Sequence, residues 1–457
     1  MSTQHPKVAI LGAGSLFFGR KAVWQMVHSP HLNGGTLALV DVDADRLAKM
    51  EKLARMVADH NKVKLKIEAS TDRKDVLADA DFVVLSFADR NAHFRGIDCE
   101  LSAKYGIRMC SGDTIGPGGV MRTAREYPQI IAACRDIETL CPDAWVINYI
   151  NPTAVHGIGL RKHFPQLKSF ALCDAQWGLR MGYAELAGVP NDDKFVLLTT
   201  GPNHFTWVTK AEYDGRDVLP KIVEAIRDKA DGDANEQVQG SAKQSKGFQN
   251  NSIAAELYDT LGALPTVLGH TKEYVRYYQG LGKAGRDKHD PLMLFEVPDR
   301  VARTDACWAR VDEYVTGKAP ISEFDTEFGP DPATDVIEGM WANLGKRFFI
   351  NTANNGAVPN MPDDAFLELY CDLSMEGPKP LPHGDLPVGV RGMSQQVLDT
   401  HEITADAVHA GSRDLLRRAL LVDPLTNSIG DTEALLDDLI EAEADALAPE
   451  LQPVGVR

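Results

Sequence analysis

The chain has 457 residues and a net charge of −17 at neutral pH, with 44% hydrophobic and 25% charged side chains. That length suits two or three domains with a large buried core, and the negative charge argues against non-specific nucleic-acid or anionic-membrane binding. No apolar run is long enough for a spanning helix, Met1 to Lys7 lacks a signal-peptide pattern, and the seven cysteines have no CxxC spacing, so the expectation is a cytoplasmic enzyme without a disulfide framework.

Lys7 to Leu11 reads as a buried parallel strand, and Phe17 to His28 has helical spacing. Thr36 to Val40 is a second strand ending at Asp41, followed by a charged amphipathic helix from Asp43 to His60 with Asp43 as its N-cap. Phe82 to Phe87 and Ala144 to Ile150 are further buried strands. Strands alternating with helices imply right-handed βαβ units. Residues 1–195 are therefore expected to form a doubly wound Rossmann domain. In residues 196–457, Phe195 to Thr200, Thr206 to Ala211 and Phe348 to Asn351 read as strands of a mixed sheet. Helices are expected over Val218 to Ala230 and Ile403 to Leu421, and an acidic one over Asp431 to Ala448. Asp228 to Gly247 is polar and reads as a loop or lid.

Gly12-Ala13-Gly14-Ser15 follows the first strand and opens the first helix, where backbone N–H groups can meet a pyrophosphate. The third glycine of GxGxxG is missing, since position 17 is Phe and the next glycine is Gly19. Asp41 closes the second strand, where a carboxylate binds a ribose 2′-hydroxyl and repels a 2′-phosphate. NAD is therefore favoured over NADP. The expected cofactor contacts are Gly12, Gly14, Ser15, Leu16, Phe17, Asp41 and Arg46.

Polar clusters fall at the expected strand ends, the ligand-binding edge of such sheets. They are a glycine-dense loop, Gly112 to Gly119, carrying Asp113 and followed by Arg122 and Arg125; Asn148 and Asn151-Pro152; Cys173-Asp174; Gly201-Pro202-Asn203-His204; and Asn354-Asn355-Gly356. A thiolate and an imidazole, Cys173 and His204, suit a divalent transition metal. Spacing alone leaves the alternatives of a small core cysteine and a satisfied polar histidine.

The ordered set GAGS, Asp41, GDTIGPGGVMRTAR, NYINP, Cys173, GPNHF, EYVRYY, NTANNGAVPNMPDD and Asp423 to Leu425 resembles the NAD- and metal-dependent glycosidases of family 4, over about Lys7 to Asn427. The resemblance implies a lactate/malate dehydrogenase-type fold, pairing the Rossmann domain with a C-terminal α/β substrate-binding, catalytic and oligomerisation domain. It implies a reaction in which NAD oxidises the sugar C3 hydroxyl, a base removes the acidified C2 proton, and the aglycone leaves by elimination. Water then adds and NADH returns the hydride. Cys173 and His204 become ligands of a divalent metal, with manganese first, and His204 also meets substrate. Tyr274, in Lys272 to Tyr277, matches the family's tyrosine base; position 268, where some members carry an aspartate, is Leu. A helix residue packing on Tyr277 or Tyr278 is the alternative for Tyr274. Homodimers or homotetramers are implied, with a small glycoside as the binding partner and no nucleic acid or membrane.

One motif departs from the family. Cys173 is followed by Asp174-Ala175-Gln176-Trp177, where most members have His. Asp174 is a candidate to protonate the aglycone oxygen; its alternative is an N-cap for a helix over Ala175 to Tyr183. This motif points toward the related branch that acts on sulfoquinovosides, glycosides of a 6-sulfonated glucose. Asp113, Asn151, Arg122, Gln176, Trp177, His270 and Arg276 are the further candidate substrate contacts. Glucosides or galactosides, glycuronides and 6-phosphoglycosides are rival substrates, and a hydroxy-acid or sugar dehydrogenase is the rival activity.

Overall fold

The computed structural model describes residues 5–15, 18–233 and 251–452. Leu16, Phe17 and most of the Asp228 to Gly247 segment lie outside the described residues. The first half runs β1 (Lys7–Leu11), α1 (Gly19–His28), β2 (Thr36–Val40), α2 (Ala44–His60), β3 (Lys66–Ser70), β4 (Phe82–Leu85), α3 (Asn91–Lys104), α4 (Gly116–Leu140), β5 (Trp145–Asn148), α5 (Thr153–His163) and β6 (Lys168–Ala171). The six strands pair in parallel in the order β3-β2-β1-β4-β5-β6, the doubly wound order of dinucleotide folds. Their near-continuous apolar runs are explained by helices covering both faces. Asp43 caps α2 as expected, accepting from the N–H groups of Asp45 and Arg46.

The second half runs α6 (Leu179–Ala187), β7 (Phe195–Thr200), β8 (Trp207–Tyr213), β9 (Arg216–Asp217), α7 (Leu219–Asp233), α8 (Asn251–Leu261), α9 (Leu268–Thr271), α10 (Val297–Thr316), α11 (Ile321–Glu327), α12 (Pro332–Trp341), β10 (Arg347–Ala353), β11 (Phe366–Ser374), β12 (Gly377–Pro380), α13 (Val388–His409), α14 (Arg413–Val422) and α15 (Ile429–Ala442). Phe348 to Asn351 does not share a sheet with β7 and β8. It lies in β10, which pairs with β6 and extends the first sheet through β11 and β12, while β7-β8-β9 form a separate antiparallel sheet. The principal core is continuous over both halves, and a smaller core packs α6 and α7 on β7 and β8.

Other expectations need correction. The glycine run does not stay a loop: α4 begins at Gly116. A Cβ at Gly118 would come within 2.4 Å of the Gly112 carbonyl oxygen, so the loop packs directly on the first turn of α4. Ile403 to Leu421 is broken at Gly411, whose φ of 62° stops α13 before α14. The acidic C-terminal helix is amphipathic: Leu435, Leu436, Leu439 and Ile440 of α15 are buried while Asp437, Asp438 and Glu441 are exposed. None of the helices among the described residues is long and apolar enough to cross a membrane.

Candidate active site

The dinucleotide motif sits at the carboxyl end of β1. Gly12 has a φ of 95°, and a Cβ there would stand 2.2 Å from the Ser86 carbonyl oxygen, so only glycine fits beside the end of β4. A Cβ at Gly19 would stand 2.5 Å from the Ala13 carbonyl oxygen, so Gly19 gives the close helix–strand approach usually supplied by the third glycine. Asp41 accepts from the Gly14 N–H at 2.7 Å and the Asp43 N–H at 3.0 Å. Ser15 closes the turn by donating its N–H to the Gly12 carbonyl. Arg46 pairs with Asp43 at 3.2 Å and stacks over Trp308.

Cys173 and His204 converge from different segments. Cys173 follows β6; His204 lies in the tight turn after β7 with a φ of 65°. Cys173 Sγ and His204 Nε2 are 2.9 Å apart, and both residues are buried. Burial, with Glu368 and Asp174 nearby, raises the thiol well above its ordinary range. Burial, with His270 beside it, keeps the His204 imidazole neutral. His270 stacks on that ring at 3.9 Å. The soft sulfur and the imidazole Nε2 are two donors that suit a divalent transition metal, and no third His, Cys, Asp or Glu groups with them among the described residues.

Tyr274 does not pack on Tyr277 or Tyr278 from a helix. It sits in a turn between α9 and a short 3₁₀ segment, Arg276–Tyr278. Its ring stacks on Phe205 at 5.2 Å, and its hydroxyl donates to the Asn203 carbonyl at 3.1 Å, one residue before His204. Burial raises the phenol, with the Glu273 and Asp113 charges adding to it.

Asp113 is buried beside this group. It accepts from Arg122 at 3.0 Å and from the Asn151 amide at 3.2 Å, and Arg95 lies 3.6 Å away. Burial alone would raise its pKa, but Arg95, Arg122 and His270 outweigh it and hold the carboxyl well below the usual range. Arg300, at the start of α10, joins the cluster: burial, then repulsion from Arg95, brings it down to about 10. Arg276 is exposed on its 3₁₀ turn, near Asp423. Arg125 is turned away, buried between Asp98 and Glu443.

The Asp174 to Trp177 stretch is a turn, not a helix. The cap of α6 is Gly178, so Asp174 does not serve as an N-cap; its side chain is exposed next to Cys173. Gln176 is buried, accepting from Thr199 at 2.8 Å and donating to Thr206 at 3.2 Å. Trp177 is 45% exposed and stacks on Phe348. Both residues line a cleft of about 290 Å³ together with Cys173, Arg180, Phe349 and Tyr370. Arg122, His270, Arg276, Asp113 and Tyr274 are not among its walls.

Sequence reasoning missed Arg95, Arg300, Glu273, Glu368 and His401. Glu273 accepts from the Gly112 N–H at 3.1 Å, holding the glycine loop to the tyrosine turn. Glu368 lies buried on β11, facing the amides of Gln176, Asn203 and Asn351 and the His204 backbone. Its signal was a carboxylate at an inward position of an apolar strand. His401 is buried on α13 against Thr114. Nothing in its helix sequence points to the site.

The fold and the site together define an enzyme built on a dinucleotide-binding sheet, with a thiol–imidazole pair at the carboxyl edge and a buried tyrosine beside it. Residues 7–189 match the family 4 glycosyl hydrolase model, and residues 199–426 match the family 4 glycosyl hydrolase C-terminal domain. The chain belongs to glycoside hydrolase family 4 and is a glycosidase. It is 27% identical to an α-galactosidase of Bacillus subtilis (96% of this chain, 99% of the relative). It is also 27% identical to an α-galacturonidase of the same organism (95% and 97%). A 6-phospho-α-glucosidase from gut microorganisms, solved with NAD and Mn²⁺, has the same fold (TM-score 0.81, 22% identity, 97% of this chain and 99% of that one). A lactate dehydrogenase from Eimeria maxima shares it more distantly (TM-score 0.51, 12% identity, 90% and 97%).

Proposed function

We propose that this glycosidase uses NAD catalytically, with a divalent metal (manganese first) held by Cys173 and His204, to cleave an anionic hexoside, a sulfoquinovoside being favoured. The observation that carries the reading is the 2.9 Å approach of Cys173 Sγ to His204 Nε2, with the Tyr274 hydroxyl anchored on the neighbouring residue. When bound, the metal polarises the C2 and C3 oxygens of the sugar and NAD accepts and returns the hydride at C3. Tyr274 would take the C2 proton as general base in its phenolate form; burial favours the neutral phenol, so the charge of a divalent cation held by Cys173 and His204 would be needed to offset it. Asp174, exposed beside Cys173, is the group that delivers a proton to the departing oxygen. Asn151, Asp113 and Arg122 fix sugar hydroxyls through one connected network. Three guanidinium groups, Arg95, Arg122 and Arg300, gather around Asp113, with Glu126 also facing Arg122, and the guanidinium groups repel one another. An anionic substituent on the sugar would relieve that repulsion, with Arg276 and His270 nearer the rim.

Residues 1–195 hold the dinucleotide in this reading, and residues 196–457 supply the substrate side and the contacts of a homodimer or homotetramer, which light scattering would size. NAD dependence fits a cytoplasmic enzyme.

The test is a parallel hydrolysis panel of sulfoquinovoside, 6-phosphoglucoside, glucuronide, glucoside and galactoside, with and without NAD and a chelator. Expected are NAD-dependent hydrolysis without net NADH, loss of activity with chelator, and C2 deuterium in product formed in D₂O. Product lacking deuterium overturns the elimination route. Stoichiometric NADH would identify a sugar or hydroxy-acid dehydrogenase instead.

A further inference from the structure

The cleft beside Cys173 differs in kind from the guanidinium cluster. Its walls present the Trp177–Phe348 stack, with rings 11° from parallel, and the Phe349–Tyr370 pair at 4.8 Å. Its cations are already satisfied. Arg180 donates to Asn191 and to the carbonyls of Asp192 and Phe195. Lys346 pairs with Asp335 at 2.6 Å, and Arg347 with Asp372 at 2.7 Å. A sulfonate or phosphate would find no surplus charge there, whereas a flat apolar face would find aromatic rings to lie against. At about 290 Å³ the cleft has room for one ring, near the lower end of roughly 300 Å³ for small-molecule sites.

We propose that this cleft is the leaving-group subsite, and that it takes an aglycone with a flat apolar face, an aryl group or the face of a second pyranose. The proposal rests on the glycosidase reading. A sugar whose C2 and C3 oxygens meet the Cys173–His204 pair, and whose C2 proton meets Tyr274, has one flank toward the Asp113 network. Cys173 is one wall of the cleft, and none of Asp113, Asn151, Arg95, Arg122 and Arg300 is. The charged part of the sugar belongs with the guanidinium groups, which leaves the C1 substituent for the aromatic walls. Trp177 then reads the aglycone and not the sulfonate.

The experiment has two arms. In the first, the methyl glycoside, 4-nitrophenyl glycoside and disaccharide of one glycone are compared in the wild type, Trp177→Ala and Phe349→Ala. The expected result is that KM for the aryl substrate and the disaccharide rises about tenfold more than KM for the methyl glycoside. The aryl and disaccharide arms separate the two forms of flat aglycone. In the second, free 4-nitrophenol is titrated against tryptophan fluorescence, and saturable quenching is expected in the wild type and lost in Trp177→Ala. Equal KM changes across the three substrates, or no Trp177-dependent quenching, overturn the subsite. Quenching in a protein that hydrolyses none of these glycosides would leave an aromatic binding cleft, overturn its assignment as the leaving-group subsite, and show separately that the proposed glycone is wrong.

Discussion

The two flanks of the Cys173–His204 pair hold opposite chemistry. On one, Asp113, Arg95 and Arg122 are buried, Asn151 is half-buried, and Asp113 joins them together. On the other, Trp177 and Tyr370 line an open cleft and are fixed by ring packing. A buried charged network tolerates little movement, because any broken pair leaves an uncompensated charge. An aromatic cleft imposes shape but few directions. Under the proposed function the contrast implies a division of labour: the rigid flank would fix the sugar at the angstrom level that proton removal needs, and the aromatic flank would accept varied leaving groups.

The largest expected effect comes from the residue that joins the two flanks to the chemistry. Tyr274→Phe keeps the stack on Phe205 and removes only the hydroxyl. Turnover should fall by about two orders of magnitude or more, and deuterium incorporation at C2 should fall with it, for methyl and aryl glycosides alike. Near-normal turnover would move the base elsewhere and break the geometry on which both flanks depend.

A smaller, selective effect is expected on the charged flank alone. Arg300→Gln removes one of the crowded guanidinium groups without cutting the Arg122–Asp113 bond. The ratio of kcat/KM for an anionic over a neutral glycoside should drop about tenfold, which is one pK-unit equivalent of interaction. Added salt should narrow the same ratio in the wild type. An unchanged ratio in the variant would show that this flank does not read substrate charge.

Much of the charged flank was legible because its parts are short motifs at strand ends. β1, β2 and β7 are found where their apolar runs place them, and the motif residues Asp113, Asn151, Cys173, His204 and Tyr274 all reach one neighbourhood. The aromatic flank was hidden for a physical reason. Phe348 meets Trp177, and Phe349 and Tyr370 come to the same cleft, only because β10 crosses back to pair with β6, and nothing local in β10 or β11 says which sheet they join. Glu368 and His401 are concealed in the same way, being ordinary residues of a strand and a helix until packing brings them behind the site. The missing third glycine, by contrast, was recoverable: Gly19 stood in the sequence, and its use is decided by the 2.5 Å approach to the Ala13 carbonyl.

The smallest expected effect separates the flanks by pH. His383 is buried under the aromatic side, where its Nε2 accepts from the Tyr370 N–H at 3.0 Å and its Nδ1 faces the Leu381 carbonyl at 2.6 Å. Only the neutral tautomer protonated at Nδ1 satisfies both contacts. Burial lowers its pKa to about 4, against roughly 6.5 in an unfolded chain. A depressed histidine contributes stability that is present above pH 6.5 and is lost as the pH falls toward 4, because the unfolded chain takes up the proton first. Between pH 7 and pH 5 the wild type should therefore lose about 2 kcal/mol relative to His383→Gln, measured by urea unfolding at both values. In the folded enzyme the protonation itself comes only near pH 4, so the preference for aryl over methyl glycosides should hold to about pH 5 and weaken toward pH 4 before the preference for anionic over neutral ones, since protonation breaks the contact with Tyr370 and leaves Arg122 and Asp113 untouched. Parallel loss of stability in the two proteins, or simultaneous loss of both preferences, would show that the two flanks are one mechanical unit.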